Sequence, residues 1–409
     1  MLRRPARAVA GRLVTEPRRG CPVCGADDPE VVFRQDFATV EEATPVSGYE
    51  VAVCRRCGGA YADRIPDQAT FDRYYREMSK YEYAQRGGAE SDHDRRRLEL
   101  IAAIVAPHIP SPASRILDVG CASGRLLASI RGRGFPHVVG LDPSPACAVA
   151  ASRLYGIDVR TMTLGDMART GERFDVVILV GVLEHLRDLN GAFEQLRMVV
   201  ADGGVLYVEV PDVTAFADWP NAPYQDFSTE HINFFSPVSL ANLMRRHGFE
   251  RVFLEQNHRE QSYKTVMSNI SAVFRESGAP GEAPIEFDPV SATGLDRYLA
   301  RCASEDVRLR TVIDELADSG RPIVVWGVGT HTTRLIATSR LAEANIVAFI
   351  ESNARYHGKT LRGRPILAPS ALKARGEAVL ISSRVFQQEI ADQIRGLGCP
   401  NDLITLYNV

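Results

Sequence analysis

The sequence predicts an α/β protein whose centre is a doubly wound parallel sheet, with a small metal-binding domain before it and a Rossmann-like α/β domain after it. Three observations support this fold class. Strands and helices alternate through the middle of the 409-residue chain, two tight cysteine pairs precede them, and a further strand, glycine turn and helix follow them. Because alternating strands and helices build parallel sheets with covered faces, we expect a doubly wound core.

The length of the chain indicates more than one domain. With 45% hydrophobic and 24% charged residues, it has the balance of a globular protein that buries real cores. The expected segments are a flexible basic tail (1–20), a zinc-binding domain (21–90), a cofactor-binding domain (91–255), a helical connection (256–319) and a Rossmann-like domain (320–409).

Charge and hydropathy narrow the class of partner. The formal net charge of -3 gives no general attraction to nucleic acid or to an anionic membrane. The Arg-rich start lacks the apolar core of a secretory signal, and no apolar run approaches the length of a membrane span. We therefore expect a cytoplasmic protein that acts on a small molecule, with neither a nucleic-acid nor a membrane partner. Its oligomeric state is not predicted.

The two cysteine pairs predict a structural zinc site. They read "CPVCG" and "CRRCGG" and supply Cys21, Cys24, Cys54 and Cys57. Two-residue spacing lets both thiolates of a pair reach one ion, and two pairs complete a closed tetrahedral shell. The other four cysteines are scattered, which favours a reducing compartment over a disulfide scaffold. A redox dithiol or a chance pairing are the alternatives.

The stretch "RILDVGCASGRLLASI" predicts a buried strand, a glycine turn and a helix, and "HVVGLDPS" predicts a second strand that ends on Asp142. In such sheets the ligand lies at the carboxyl ends of the strands, close to the first turn. Gly120 and Gly124 let the backbone approach a ligand, and Asp142 can accept hydrogen bonds from two ribose hydroxyls. At this level NAD and S-adenosylmethionine fit equally well.

Further detail favours S-adenosylmethionine. The turn reads DxGxxxG and lacks the closely spaced glycines that admit a pyrophosphate, and its Asp118 suits the ammonium of a methionine moiety. In "LGDM", Asp166 is offered to the adenine amino group and Met167 to the adenine ring. The predicted cofactor residues are Asp118, Gly120, Cys121, Gly124, Asp142, Pro143, Asp166, Met167 and Gly181.

Two Glu-His pairs follow the core strands. Glu230 and His231 stand in "FSTEHINFF" among three phenylalanines, where a charge costs several kcal/mol unless it is paired. They form either a buried hydrogen-bonded pair or a proton-transfer group. The second pair, Glu184 and His185 in "VLEHL", is expected to be mostly structural.

Near the end of the chain, "LDRYLARCASEDVRLRTVIDELADSG" predicts a long amphipathic helix, and "PIVVWGVGTHTTRLI" predicts a strand and turn. Gly327, Gly329 and Glu351 repeat a dinucleotide-fold layout, but Thr332 stands where the third glycine belongs. We expect a Rossmann shape without a bound dinucleotide, with a substrate-binding or structural role.

Residues 113–212, with "VLEHL" among them, resemble class I S-adenosylmethionine-dependent methyltransferases. The order of the three domains resembles the bacterial sugar C-methyltransferases, which methylate nucleotide-linked 4-keto-deoxysugars. That resemblance implies that His231 is the base that generates an enolate. Glu230 would orient the imidazole ring or stabilise the imidazolium, and a phenol from Tyr81 or Tyr83 would hydrogen-bond the enolate oxygen. The chain departs from the family where Ser228 replaces a tyrosine and "NHREQSYKTVMSN" replaces a His-Gly-Gly-Ser element.

Two other functions stay open from the sequence. His231 could deprotonate a hydroxyl, which would make the protein an O-methyltransferase. Alternatively, the chain could be a non-catalytic zinc-knuckle binding protein with a vestigial core. The sugar, the nucleotide, the methylated atom and any ligand of the C-terminal domain are not identified.

Overall fold

A computed structural model of the chain describes residues 16–41, 43–78, 87, 89–262, 265–278 and 284–408. Within these residues the strands form three sheets of four, seven and six strands, in that order along the chain. The predicted α/β fold is confirmed, and its two larger sheets are mixed because each carries antiparallel strands at one edge.

The N-terminal sheet is completed by residues from far along the chain. Its elements are β1 (Pro29–Asp36), β2 (Gly48–Cys54), β3 (Ala60–Asp63) and, following it, helix α1 (Gln68–Met78). Its fourth strand is β9 (Asn233–Phe234), which lies within "FSTEHINFF" and pairs with β3. The cysteine-bearing module and the segment that carries His231 therefore share one sheet.

The prediction of a flexible tail over residues 1–20 is wrong at its end. Residues 1–15 lie outside the described part of the chain, but Arg19 is only 4% exposed and its side chain donates hydrogen bonds to several backbone carbonyls. A cluster of arginines predicts a solvated tail on composition alone, whereas this arginine is bound inside the fold.

The central domain is built on a seven-stranded sheet in the order β10-β11-β8-β7-β4-β5-β6. Its elements are α2 (Asp92–Val105), β4 (Ile116–Val119), α3 (Arg125–Gly132), β5 (Val138–Leu141), α4 (Pro145–Tyr155), β6 (Val159–Arg160), α5 (Leu164–Thr170), β7 (Phe174–Val180), α6 (Leu189–Val199), β8 (Val200–Pro211), α7 (Pro237–Arg246), β10 (Phe249–Ser262) and β11 (Thr265–Glu276). Strand β4 is buried along its whole length between neighbours β5 and β7, as expected when helices cover both faces of a parallel sheet.

The predicted helical connection over residues 256–319 is wrong in its first part. Strands β10 and β11 pair antiparallel with each other, and β11 pairs with β8, so the central sheet extends to Glu276 and beyond the predicted boundary at residue 255. The long amphipathic helix is confirmed as α8 (Val290–Ser319). None of the helices in the described segments is long and apolar enough to cross a membrane.

The C-terminal domain has a six-stranded sheet in the order β14-β15-β13-β12-β16-β17. Its elements are β12 (Ile323–Trp326), α9 (Thr330–Thr338), β13 (Ile346–Ile350), β14 (Thr360–Leu361), β15 (Arg364–Leu367), β16 (Ala378–Ile381), α10 (Gln387–Gly396) and β17 (Leu403–Thr405). It packs on the rest of the molecule where the Ala38 N–H donates to the Thr333 carbonyl and the Arg334 guanidinium lies 5.0 Å from the centre of the Tyr224 ring.

Candidate active site

The first turn of the central domain folds against the end of β5. The N–H groups of Gly120 and Cys121 both donate to the Leu141 carbonyl, at 2.8 and 3.0 Å. One Asp142 carboxylate oxygen accepts from the Ala122 N–H at 3.0 Å, and the other accepts from the Ser144 N–H at 2.9 Å. The predicted Asp142 therefore organises the turn through both of its carboxylate oxygens.

Asp118 is the buried charge of this turn. It lies within β4, is 3% exposed, and has the Asp142 carboxylate nearby. Burial, and then repulsion by Asp142, raise the pKa of the Asp118 carboxyl well above its ordinary value. A cationic ligand would relieve both effects, because an opposite charge favours the ionised carboxylate. This environment fits the ammonium group that the sequence assigns to Asp118.

The glycines have separate reasons to be glycine. Gly120 and Gly124 both have φ of +75°, in the left-handed region. A Cβ at Gly120 would lie 3.0 Å from the Val182 side chain, and a Cβ at Gly124 would lie 3.3 Å from Ala151. Gly120 thus lets the turn after β4 approach the segment that follows β7. That segment begins with the exposed Gly181 at φ +66°.

Cys121 and Pro143 lie beside the turn in different ways. The Cys121 side chain points toward β5, since a Cβ on Gly140 would lie 2.4 Å from its sulfur. Burial raises the pKa of the Cys121 thiol, so this side chain is a neutral packing group. Pro143 is half-buried directly after Asp142, at the carboxyl end of β5.

The structure contradicts the adenine role predicted for Met167, and it gives Asp166 a capping role that the prediction did not include. Asp166 completes a capping box at the start of α5: one carboxylate oxygen accepts from the Thr163 N–H at 2.9 Å, and the other accepts from Arg169. The hydrogen bonds from Thr163 lower the pKa of Asp166. The Met167 side chain is 0% exposed within the core, so it presents no surface to a ligand.

The two Glu-His pairs meet at one place. The imidazole rings of His185 and His231 have centroids 4.9 Å apart in an edge-to-face arrangement. One carboxylate oxygen of Glu184 and one nitrogen of each ring lie within 4.8 Å of one another, and such a group can move a proton or hold a metal ion. The Ile232 N–H donates to the Glu184 carbonyl at 2.8 Å and joins the two segments. The expectation that Glu184 and His185 are mostly structural did not include this contact between His185 and His231.

Hydrogen bonds fix the orientation of the His185 ring. The Nδ1 of His185 lies 2.9 Å from the Tyr75 hydroxyl and 3.1 Å from the Glu230 carbonyl oxygen. If Nδ1 carries the proton that the Glu230 carbonyl accepts, Nε2 carries the lone pair of the neutral ring. His231 is half-buried, and its backbone N–H donates to the Ser228 hydroxyl at 2.9 Å. Ser228 therefore shapes the turn that presents His231.

Phenols reach the site from helix α1. The Tyr74 hydroxyl donates to a Glu230 carboxylate oxygen at 3.0 Å, and the Tyr75 hydroxyl contacts His185. Burial, and then the Glu230 carboxylate, raise the pKa of the Tyr74 phenol. The predicted Tyr81 and Tyr83 lie outside the described residues. The adjacent tyrosines at the start of "YYREMSKYEYA" were the available signal, and sequence reasoning did not assign them a role.

The four predicted cysteines come together in a second centre. The sulfurs of Cys21 and Cys57 are 3.6 Å apart, those of Cys24 and Cys54 are 3.5 Å apart, and all four are buried with free thiols. Four sulfurs about 2.3 Å from a central zinc ion would be separated by about 3.8 Å at tetrahedral corners. The donor set and its spacing therefore fit one ion with a closed coordination shell.

Comparison with known proteins identifies the domain that carries Glu184, His185 and His231. Residues 91–253 match the family model described as Methyltransferase domain, and residues 320–405 match the model described as C2185-like, N-terminal. A ubiquinone biosynthesis O-methyltransferase of Cereibacter sphaeroides is 30% identical over 158 residues, which are 35% of this chain and 63% of that protein. A tRNA U34 carboxymethyltransferase of Shewanella pealeana is 41% identical over 112 residues, 26% of this chain and 34% of that protein.

Among solved structures, the 1,6-didemethyltoxoflavin-N1-methyltransferase of Burkholderia thailandensis is 18% identical, with a TM-score of 0.40 over 54% of this chain and 96% of that one. The chain spans less than two thirds of the length of the two curated relatives. The predicted methyltransferase domain is confirmed by the family model over residues 91–253.

Proposed function

We propose that this chain, whose residues 91–253 form a class I methyltransferase domain, transfers the methyl group of S-adenosylmethionine to a carbon atom of a nucleotide-linked 4-keto-deoxysugar. The observation that carries the proposal is the meeting of Glu184, His185 and His231 next to the turn that bears Asp118 and Gly120. A base group beside a site for a cationic methyl donor suits an acceptor that must lose a proton before it attacks.

The residues of the cofactor turn have defined tasks. The Asp118 carboxylate binds the ammonium, the Asp142 oxygens accept from the ribose hydroxyls, and Gly120 allows close approach of the backbone. S-adenosylmethionine, when bound, supplies an electrophilic methyl group, and the protein supplies its placement.

The base is His231, because a neutral imidazole is a side chain suited to accept a proton from the acceptor. It removes the proton from the carbon beside the ketone, and the released electron pair forms an enolate. The enolate carbon would be the nucleophile for the methyl group that S-adenosylmethionine supplies, with neutral S-adenosylhomocysteine as the leaving group. Glu184 and Glu230 stabilise the imidazolium from the two Glu-His segments. The phenol of Tyr74 or Tyr75 would turn from its present partner, Glu230 or His185, to donate to the enolate oxygen.

The test of this proposal is His231→Ala. Most turnover should be lost while S-adenosylmethionine still binds, as measured by calorimetry. The acceptor is found by incubating the protein with S-adenosylmethionine and a panel of nucleotide 4-ketosugars, and by looking for products that have gained one methylene unit. His258→Ala is a matched control, since this histidine lies on β10 and contacts Ser268. Near-normal turnover in His231→Ala would remove His231 from the mechanism.

O-methylation is the second candidate, and the name of the Cereibacter relative favours it. The same His231 would then remove a hydroxyl proton. Exchange of the acceptor C–H for deuterium in D2O, with S-adenosylhomocysteine bound, separates the two reactions because only the carbon route forms a carbanion. A non-catalytic binding role is the third candidate, and it requires that S-adenosylmethionine does not bind.

The acceptor is proposed to be a small molecule, in a cytoplasmic protein, despite the tRNA-modifying relative. The net charge of -3 offers no general attraction to a polyanion. Methylation of unmodified tRNA under the same assay would contradict this assignment.

The four-cysteine centre is proposed to hold a structural Zn2+. A closed shell leaves no position for a water, so the ion would stabilise the fold and take no part in the chemistry. Cys24→Ser should abolish stoichiometric zinc in elemental analysis and lower the melting temperature. Cys399→Ser, in the C-terminal domain, should retain the zinc.

A further inference from the structure

One buried cation lies between the four-cysteine centre and the two histidine segments. The Arg19 side chain donates from Nε to the Ala62 carbonyl at 2.8 Å, and from Nη2 to the Ile232 carbonyl at 2.7 Å. Nη2 also donates to the Asn233 side-chain oxygen at 2.9 Å, and Nη1 donates to the Arg187 carbonyl at 3.1 Å. A single guanidinium therefore holds three separate segments of backbone.

Two of those segments carry the histidines. Ile232 directly follows His231, and Arg187 stands two residues after His185. The same network continues through Asn233, whose side-chain amide donates to the Leu183 and Leu186 carbonyls at 2.8 and 2.7 Å. These hydrogen bonds enclose the turn that bears His185 and tie it to the strand that follows His231.

The third attachment leads to the cysteines. Arg19 stands two residues before Cys21, and its own N–H donates to an Asp63 carboxylate oxygen at 2.8 Å. Ala62 and Asp63 belong to β3, the strand that follows Cys57. The position of the guanidinium is therefore set by the cysteine-bearing module, while its Nη groups contact the active-site segments.

Arginine is a costly residue at this position. Burial, and then repulsion by Arg187, lower the pKa of the Arg19 guanidinium to about 9. Its side chain bonds to neutral carbonyl and amide oxygens, so desolvation of the charge is only partly offset. A planar fork that donates in several fixed directions is the property that lysine or an apolar residue cannot supply.

We propose that Arg19 is a positioning residue that fixes His231 relative to His185 and makes this geometry depend on the four-cysteine module. The inference rests on the proposed function for its effect on catalysis. Its geometric part concerns the two imidazoles alone and can be tested without an acceptor.

The test compares Arg19→Lys with Arg64→Lys in the full-length protein. Arg64 is a matched control because it directly follows β3, the strand that Arg19 contacts, but its side-chain hydrogen bonds go to Glu50 and to the Glu16 carbonyl. The readout is the pH titration of the histidine ring signals in NMR, assigned with His185→Asn and His231→Asn. Arg19→Lys should change the titration curves of His185 and His231 together, while Arg64→Lys leaves both at their wild-type values.

A second variant keeps the test decisive if Arg19→Lys folds poorly. Asn233→Ala removes another part of the same network while Arg19 is intact, and it should change the same two curves. Once an acceptor is known, Arg19→Lys should lower kcat by about 100-fold, as misplacement of reacting groups by about 1 Å does. Calorimetric affinity for S-adenosylmethionine should stay at the wild-type value.

Unchanged His185 and His231 curves in both Arg19→Lys and Asn233→Ala would overturn the proposal. Equal changes in Arg64→Lys at a matched loss of melting temperature would also overturn it, because the effect would then be general destabilisation. If no acceptor is methylated but the two curves respond as expected, the proposed function fails and the positioning role stands.

Discussion

The central and C-terminal domains use the same backbone arrangement at their first strand-to-helix turn. In each, an acid at the end of the second strand accepts an N–H from the turn: Asp142 accepts from Ala122 at 3.0 Å, and Glu351 accepts from Val328 at 3.1 Å. The other oxygen of each acid accepts an N–H two residues further along the chain, at 2.9 Å in both. The turn is therefore held by its own acid in both domains.

The two turns differ in what lies around them. The buried Asp118 of β4 corresponds to the buried Val325 of β12, since each stands two residues before the first glycine of its turn. In the C-terminal domain, His331 of α9 lies near the carboxyl ends of β16 and β17. Its ring nitrogens are 3.0 Å from the Ser382 hydroxyl and 2.5 Å from the Tyr407 hydroxyl. A shared backbone layout thus predicts the shape of a turn, and a buried carboxyl that lies beside a second carboxylate, as Asp118 does, indicates where a cationic ligand belongs.

The largest expected effect comes from Asp118→Asn. The affinity for S-adenosylmethionine should fall by at least about 30-fold, because loss of one partner from a buried charge pair costs roughly 2–5 kcal/mol. The protein without ligand should become more stable at neutral pH. The raised pKa of Asp118 means that stability falls as pH rises from the ordinary carboxyl range through the folded-state pKa, and asparagine removes this loss.

Calorimetry and thermal unfolding between pH 4 and pH 8 check both parts of this prediction, with pH limits set by the ordinary carboxyl pKa of about 4. Glu351→Gln is the matched control, since it alters the equivalent turn and should leave the affinity for S-adenosylmethionine unchanged. If Asp118→Asn binds normally, or if Glu351→Gln binds weakly, the contrast between the two turns is mistaken.

The C-terminal turn should show the opposite pH dependence. Burial, and then the Arg334 cation, lower the pKa of His331 to about 3. Because the unfolded imidazole takes up a proton near pH 6.5, the stability contributed by neutral His331 is complete above about pH 6.5 and is lost as pH falls toward 3. His331→Gln should therefore reduce the loss of melting temperature between neutral and acid pH. Parallel curves for the variant and the wild type would contradict the buried, neutral state of His331.

The fold was predictable where the pattern is local or regular. The buried strand that contains Asp118, the glycine turn and the helix after it follow from apolar runs and glycine spacing, and the CxxC pairs show their own partners. The hairpin of β10 and β11 was missed because β10 is an edge strand with polar residues on both faces, so its period-two pattern is weak. Prediction from composition also failed at Arg19, which a local window cannot place inside the protein.

The site was predictable only as separate residues. The sequence pointed to His231 and to the turn after β4 as candidates. The approach of His185 to His231 was not predictable, because it joins positions far apart in sequence and depends on how β7 and β9 are placed by two different sheets. At Asp166, by contrast, a local signal in the sequence was overlooked. Thr163 followed three residues later by an acid is a capping signature, and the structure uses the acid in that way.

The smallest expected effect comes from variants that test whether Asp166 contacts S-adenosylmethionine. Asp166→Ala and Thr163→Ala each break the same capping box, so each should cost about 1 kcal/mol of stability. The two variants should have the same affinity for S-adenosylmethionine. Thermal unfolding and calorimetry on both variants give the comparison. If Asp166 also binds the adenine amino group, only Asp166→Ala will weaken binding, because Thr163→Ala keeps the carboxylate. Equal affinities would mean that α5 uses Asp166 only to cap its own N-terminus and does not contact the ligand. The difference in ligand binding between the two domains would then lie in their turns, at Asp118.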